Sequence, residues 1–273
     1  MITGSIVTFH TDRSELQRLI GCVMQSDIAL LFIIDNSSND ELRDFVGCDP
    51  RIKYIHSLNL GYGAGHNIAL RRAIEMGADY HAVLNPDIWW DGDVIGELAR
   101  FMDSDPEVGQ VMPKIVYPTG RTQYLCKLLP TPMDLIIRRF VPFEGYRRRR
   151  DDRYELRRSG YDKIMEVPSL SGCFMFLRCS VLKRVGLFDQ RYFMYAEDLD
   201  LCRRIGEVSK TVFYPGVEVT HEYEKGSYKN KKLLNYHIRS IIKYFNKWGW
   251  FFDPKRKAKN RSCLREIGSA ANN

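Results

Sequence analysis

With 273 residues, 44% of them hydrophobic and 27% charged, the chain can bury one substantial core, which excludes global disorder. The net charge of +7 is uneven: nine arginines face four acidic residues between Arg138 and Arg158, and thirteen lysines and arginines face Asp253 alone between Lys225 and Arg265, so the remainder is an acidic body. Seven scattered cysteines without a CxxC pair exclude a disulfide framework or structural zinc site, and no run approaches the ~20 apolar residues of a membrane span.

The first apolar run, Ser5-Ile6-Val7-Thr8-Phe9, carries no signal-peptide pattern, so the expectation is a cytoplasmic protein, with peripheral attachment to the inner face of the plasma membrane as a further expectation. Residues 6–9 read as a short strand, and Leu16, Leu19, Ile20, Val23 and Met24 follow at helical spacing. Residues 29–34 form a continuous apolar run that stops at Asp35-Asn36-Ser37-Ser38, the pattern of a buried parallel strand ending in a polar loop. Residues 52–55 predict another strand, 63–76 a helix, and 81–84 a strand ending at Asn85-Pro86-Asp87. A helix over 94–102 and a strand from 109 complete a βαβαβ order, which predicts a mostly parallel sheet flanked by helices. Ligands gather at the carboxyl ends of such strands, where Asp35-Asn36 and Asn85-Pro86-Asp87 both fall.

The second half has a different character. Residues 118–168 read as a long, basic, irregular stretch around Arg147–Arg150. A strand-like run over 170–177, a short helix over 180–185, a helix over 199–205 and a strand over 217–220 follow. Leu234, Ile238, Ile241, Phe245 and Trp248 keep a helical 4-3-4-3 spacing, which predicts a helix docked on the catalytic domain through that stripe, with its lysines solvated.

Four segments carry candidate chemistry, each with a plain structural alternative. Asn59-Leu60-Gly61-Tyr62-Gly63-Ala64-Gly65-His66-Asn67 brings glycines to a helix start, where free N–H groups attract phosphate, although a tight strand-to-helix turn has the same composition. Asp87 with diphosphate oxygens would suit Mg²⁺ or Mn²⁺; Asn-Pro-Asp is also an ordinary turn. Glu197 and Asp198, beside the apolar Tyr192-Phe193-Met194-Tyr195, fit either a general base or a helix N-cap. His221 follows a strand and alone reads as a surface or structural histidine.

Their order and spacing together resemble glycosyltransferase family 2, and within it the bacterial rhamnosyltransferase-like enzymes of O-antigen and capsule assembly. The matching blocks are Ile34-Asp35-Asn36-Ser37-Ser38, Asn59-x-Gly61-Tyr62-Gly63-x-Gly65-x-Asn67, Leu84-Asn85-Pro86-Asp87, Ser171-Gly172-Cys173-Phe174, Gly186-Leu187-Phe188-Asp189, and Phe193-Met194-Tyr195-x-Glu197-Asp198-x-Asp200-Leu201-Cys202-x-Arg204. The resemblance implies a GT-A fold over 1–227: a nucleotide-sugar-binding half (1–115), a basic insertion (116–170) and an acceptor-binding half (171–227), followed by a basic terminal helix and tail (228–273). It implies that Asp35 and Asn36 bind the nucleobase side of the donor, and that Asn59, Gly61, Gly63, Asn67 and Asn85 line the donor pocket. Ser227 would hold the diphosphate, Asp87 and His221 the metal, and Asp198, with Glu197 beside it, would be the general base. Asn85 stands where many relatives carry Asp, and Phe9-His10-Thr11 replaces their Tyr-Asn.

The implied reaction is inverting transfer from a nucleoside-diphosphate-sugar to a glycan or polyprenyl-diphosphate-linked acceptor, with L-rhamnose or another deoxysugar as donor and an anionic membrane as a further partner. A sugar-nucleotide nucleotidyltransferase shares the fold class and metal. A nucleic-acid-binding protein would use the arginine run, but the body is acidic and carries no binding module, so no nucleic-acid partner is expected.

Overall fold

The computed structural model describes residues 1–44, 46, 49–135, 144–222 and 231–270. Strands β1 (Ile2–Thr8), β2 (Leu30–Asp35), β3 (Ile52–His56) and β4 (Tyr80–Leu84) pair in parallel in the order β3-β2-β1-β4. Both faces of β2 and β4 are covered, which is why their sequences run apolar without alternation. Helices α1 (Arg13–Met24), α2 (Tyr62–Glu75) and α3 (Val94–Ser104) pack on the sheet, burying Leu16, Leu19 and Val23, then Ala69, Leu70 and Ala73, then Leu98 and Met102. Asp12 caps α1, accepting hydrogen bonds from the Ser14 and Glu15 amides.

The second half extends the same sheet. Strands β5 (Ile88–Trp89), β6 (Val108–Val116), β7 (Met165–Glu166), β8 (Phe174–Arg178) and β9 (Lys210–His221) complete the order β3-β2-β1-β4-β8-β6-β9-β5, with β7 pairing off β9. β8 inserts antiparallel between β4 and β6, so the parallel character belongs to the first half and the sheet becomes mixed beyond it. At its far edge β5 pairs antiparallel with the end of β9, with Ile88 opposite His221.

Residues 118–168 are more ordered than their composition suggests. The described part contains helix α4 (Glu144–Tyr154), a 3-10 turn at Arg157–Ser159 and β7. The sequence of α4 is polar on every side, so no apolar period betrays it. Arg148 and Arg149 are exposed, whereas Arg150 pairs with Asp134 at 2.5 Å.

Helices α5 (Cys179–Val185), α6 (Glu197–Ile205), α7 (Lys231–Trp248) and α8 (Pro254–Ala270) finish the chain. The terminal pair packs on the body rather than standing apart. Tyr244 and Phe245 of α7 form a cluster with Leu129, Tyr192, Ala196 and Leu199, with Ile241 and Trp248 partly buried against it. The predicted stripe therefore docks through its C-terminal half, while Ile238 stays 46% exposed. Polar clamps reinforce the contact. Arg203 of α6 makes two bonds to Asp253, at 2.7 and 2.8 Å, and stacks 4.1 Å over the Trp248 ring. Trp248 Nε1 donates to Asp200 Oδ1 at 2.8 Å, and Lys247 pairs with the same carboxylate at 2.6 Å.

Candidate active site

Two polar clusters lie at the carboxyl edge of the parallel strands. In the first, Asp35 ends β2 and is fully buried; its carboxylate accepts from Thr8 Oγ1 (3.0 Å), the Ser37 amide (3.0 Å) and the Tyr54 hydroxyl (2.7 Å). Burial alone would raise its pKa, but these donors outweigh burial and hold it below the usual carboxylate value. Asn36 is buried beside it and accepts from Ser57 Oγ at 2.8 Å. The neighbouring rim is open: Phe9 is 56% exposed, and His10, at φ +51°, donates its amide to Ser37 Oγ.

The glycine-rich segment resolves in favour of a tight turn. Gly61 takes φ +103°, and a Cβ there would collide with the Phe193 carbonyl, which already accepts the Tyr62 amide at 3.0 Å. A Cβ on Gly63 would press on Phe188 at 2.8 Å, so that glycine lets the helix pack closely there. Asn67 is also drawn inward: its Nδ2 donates to the Phe188 carbonyl (2.8 Å) and its Oδ1 accepts the Phe188 amide (3.0 Å). Both ends of the amide are engaged, so Asn67 joins the glycine block to the Gly186–Asp189 block. Asn59 is exposed and accepts the Gly61 amide at 3.2 Å.

The second cluster joins distant segments. The two-residue pairing of β5 with β9 sets Asp87, the residue before Ile88, beside His221, the last residue of β9. Asp87 Oδ2 lies 3.3 Å from His221 Nε2, and Asp87 Oδ1 is buried without a hydrogen-bond partner among the described residues. Asn85, two residues earlier, donates its amide to the Cys173 carbonyl at 2.9 Å. Gln123 orients the histidine: its Oε1 lies 3.0 Å from His221 Nδ1, and its Nε2 donates to the His221 carbonyl at 2.7 Å. That arrangement puts a proton on Nδ1, facing Gln123, and turns Nε2 towards Asp87. Burial opposes charge on the imidazole, but the adjoining Cys173 and Asp87 outweigh it and raise His221 to about 10.

Asp198 and Glu197 are the first two residues of α6, and the N-cap is Ala196, so neither carboxylate is the helix cap. Tyr195 and Ala196 both sit at positive φ, +69° and +65°. Two consecutive non-glycine residues in that region store backbone strain, and they form the corner that presents the acidic pair. Asp198 Oδ2 accepts the Gly172 amide at 2.9 Å and remains partly accessible. Glu197 is 5% exposed; burial and the adjacent Asp198 push its pKa well up, so it favours the protonated form.

Tyr62 ties the second cluster together. Its hydroxyl donates to the Gly172 carbonyl at 2.8 Å, and burial followed by the charges of Glu197, Cys173, Asp198 and Asp87 drives its pKa well above 10.0. The structure thus unites Asp87, His221, Glu197 and Asp198 around one tyrosine, with Asp35 and Asn36 in a separate cluster. Ser227 lies outside the described residues. Gln123, Gly172 and Tyr62 are the contributors that sequence reasoning missed. Gln123 sits in an unpatterned stretch, while Tyr62 and Gly172 stand inside recognisable blocks without any spacing that assigns them a task.

A parallel nucleotide-binding half extended by mixed strands, with acidic groups gathered at the strand ends, is the GT-A architecture of glycosyltransferases. Two solved structures share the fold. One is a mannosyltransferase from Pyrobaculum calidifontis in complex with GDP-Man and Mn²⁺ (TM-score 0.58, 16% identity, 98% of this chain and 75% of that one). The other is GalNAc-T7 with UDP, GalNAc and Mn²⁺ (TM-score 0.62, 15% identity, 88% of this chain), of which the chain spans about half, 47%. The profile described as "Glycosyl transferase family 2" matches residues 5–186, and the chain belongs to that family. It is 29% identical over 248 residues to an N-acetylglucosaminyl-diphospho-decaprenol L-rhamnosyltransferase of Mycobacterium tuberculosis, covering 83% of this chain and 78% of the relative. It is 24% identical over 250 residues to the rhamnosyltransferase WbbL of Escherichia coli, covering 88% and 90%. The protein is a glycosyltransferase with rhamnosyltransferase relatives. Among the described residues no helix is long and apolar enough to cross a membrane.

Proposed function

We propose that the chain transfers a deoxysugar, L-rhamnose first among the candidates, from a nucleoside diphosphate to a hydroxyl of a polyprenyl-diphosphate-linked glycan, inverting the anomeric centre. The observation that carries this reading is the meeting of Asp87 and His221 with Asp198 around Tyr62. The M. tuberculosis relative, whose name states both a decaprenol-linked acceptor and an L-rhamnosyl product, supports the substrate class. The division into a donor half (1–115), an insertion (116–170), an acceptor half (171–227) and a docked terminal segment (228–273) belongs to the same reading.

Asp87 and His221 suit a divalent cation. Asp87 Oδ2 and His221 Nε2 lie 3.3 Å apart, and Asp87 offers a buried oxygen with no hydrogen-bond partner among the described residues; a cation held by both would take the place of the imidazole's Nε2 proton. No group of three or more His, Cys, Asp or Glu able to hold a metal occurs among the described residues, so donor phosphates and water would complete the shell. Mg²⁺ or Mn²⁺ bound there would supply positive charge against the leaving diphosphate. Asp198 takes the proton of the acceptor hydroxyl, its other role being to receive the Gly172 amide, which fixes its direction. Burial and the adjacent Asp198 favour the protonated form of Glu197, which limits the negative charge beside Asp198.

Gln123 acts through His221. Gln123→Ala is expected to weaken Mn²⁺ binding about 10- to 100-fold, read as a shift in the Mn²⁺ concentration needed for donor binding by calorimetry. An unchanged metal requirement would remove Gln123 from this role.

The test of the function is nucleoside-diphosphate release from dTDP-, UDP- and GDP-sugars with Mn²⁺, Mg²⁺ or EDTA, in the presence of a lipid-linked acceptor. Metal-dependent release from dTDP-rhamnose is the expected result. Release of pyrophosphate in place of a nucleoside diphosphate would instead make the chain a nucleotidyltransferase. Metal-independent turnover would overturn the roles of Asp87 and His221.

A further inference from the structure

Between α7 and α8, Phe251 is 85% and Phe252 87% exposed, more than any other large apolar side chain described. The link that holds them is firmly built. Gly249, at φ +97°, donates its amide to the Phe245 carbonyl at 2.8 Å. Arg256 donates to the carbonyls of Gly249 (3.4 Å), Trp250 (3.3 Å) and Pro130 (3.2 Å). Asp253, the next residue after Phe252, is 8% exposed, pairs with Arg203 and accepts the Arg256 amide at 2.9 Å. A turn anchored on both sides therefore displays two adjacent aromatic rings to solvent, an arrangement with a cost unless something covers them.

The charge on the two flanking helices points to what does. Lys231, Lys232, Arg239 and Lys243 on α7 are exposed, as are Lys255, Lys257, Arg261 and Arg265 on α8. Asp253, the only acidic residue from Lys231 to Arg265, is already engaged by Arg203. Ile238 and Ile242, 46% and 42% exposed, share a face of α7 with Arg239. A second copy meeting this face with its own would bring the same positive charge and be repelled. A surface that is anionic outside and apolar just beneath matches both features, and that is an acidic lipid bilayer.

We propose that Phe251 and Phe252 insert into the interfacial layer of an anionic membrane while the neighbouring lysines and arginines sit among its headgroups. The aromatic pair supplies depth, which the basic residues cannot, and the charge supplies lipid selectivity. This deepens the reading of a lipid-linked acceptor, since it would hold the active site against the bilayer that carries such an acceptor; its test needs no turnover.

The experiment is flotation with phosphatidylcholine vesicles containing or lacking phosphatidylglycerol. It compares wild type, Phe251→Ser/Phe252→Ser and Lys255→Ala/Lys257→Ala, with thermal melts confirming the fold. Wild type is expected to bind the phosphatidylglycerol vesicles, and the serine variant to bind them about a hundredfold more weakly at unchanged Tm. The lysine variant is expected to bind more weakly with a reduced salt dependence. Equal binding by the serine variant, or no binding by wild type, would overturn the proposal. So would wild-type self-association that the serine variant abolishes, with no vesicle binding in either. Aromatic-dependent vesicle binding without any sugar transfer would leave this surface standing and refute the proposed acceptor instead.

Discussion

Asp198→Asn is expected to lower kcat by about 10²- to 10⁴-fold while leaving the fold and donor binding close to wild type. The substitution is nearly isosteric, and the amide oxygen can still accept the Gly172 N–H that Asp198 Oδ2 accepts at 2.9 Å. What it removes is the ability to take a proton. The informative partner is Glu197→Gln. Glu197 is 5% exposed, and burial together with Asp198 pushes its pKa well above 4.5, which favours the neutral side chain. Its replacement should change kcat by only a few-fold. A raised folded-state pKa on an acid favours the folded state below its unfolded value, and this contribution is lost as pH rises through the folded one. Wild type should therefore lose thermal stability as pH rises above the ordinary glutamate range more steeply than Glu197→Gln, whose amide stays neutral throughout. Equal catalytic losses in the two variants would show that Asp198 is not the base.

Asp253→Ala should destabilise the protein by about 3–5 kcal/mol, because it strands Arg203 as an uncompensated buried cation. The side chains of Arg203 and Asp253 are 4% and 3% exposed and share two hydrogen bonds, so water cannot take the place of the lost carboxylate. For a chain of this size that corresponds to a fall in Tm on the order of 10 °C. Replacing both partners with apolar residues of similar volume, Arg203→Met with Asp253→Leu, should recover much of the loss. The effect also reaches the active site. Arg203 belongs to α6, whose first turn carries Asp198, so loosening the α6–α7–α8 contact should lower kcat before it unfolds the chain. A single variant within a degree or two of wild type would mean that the terminal helices are held without the Arg203–Asp253 pair.

Much of the first half was legible because local rules and tertiary needs coincide there. Apolar runs such as residues 29–34 and 81–84 are buried on both faces and have no competing period, so they read as parallel strands and are found as β2 and β4. The placement of Asp35 and Asp87 at strand ends follows from the same pattern. The α4 segment was opaque for the opposite reason: Glu-Gly-Tyr followed by four arginines, two aspartates, an arginine and a tyrosine shows no apolar face, and its glycine argues against a helix.

By itself the sequence determined the parallel half, the acidic residues at its edge, the start of α6 near Glu197 and Asp198, and a terminal helix with a docking stripe. These depend on side-chain period and composition, which act over one or two turns or a single strand. Tertiary structure alone decided the site's membership. Gln123 reaches His221 across 98 residues, and Asn67 reaches Phe188 across 121, pairings that no local spacing encodes. It also decided that Gly63 and Asn67 serve packing while Tyr62 holds the centre. Whether a glycine faces a ligand or a phenylalanine depends on which distant strand or loop closes over it, and that is settled only when the sheet is assembled.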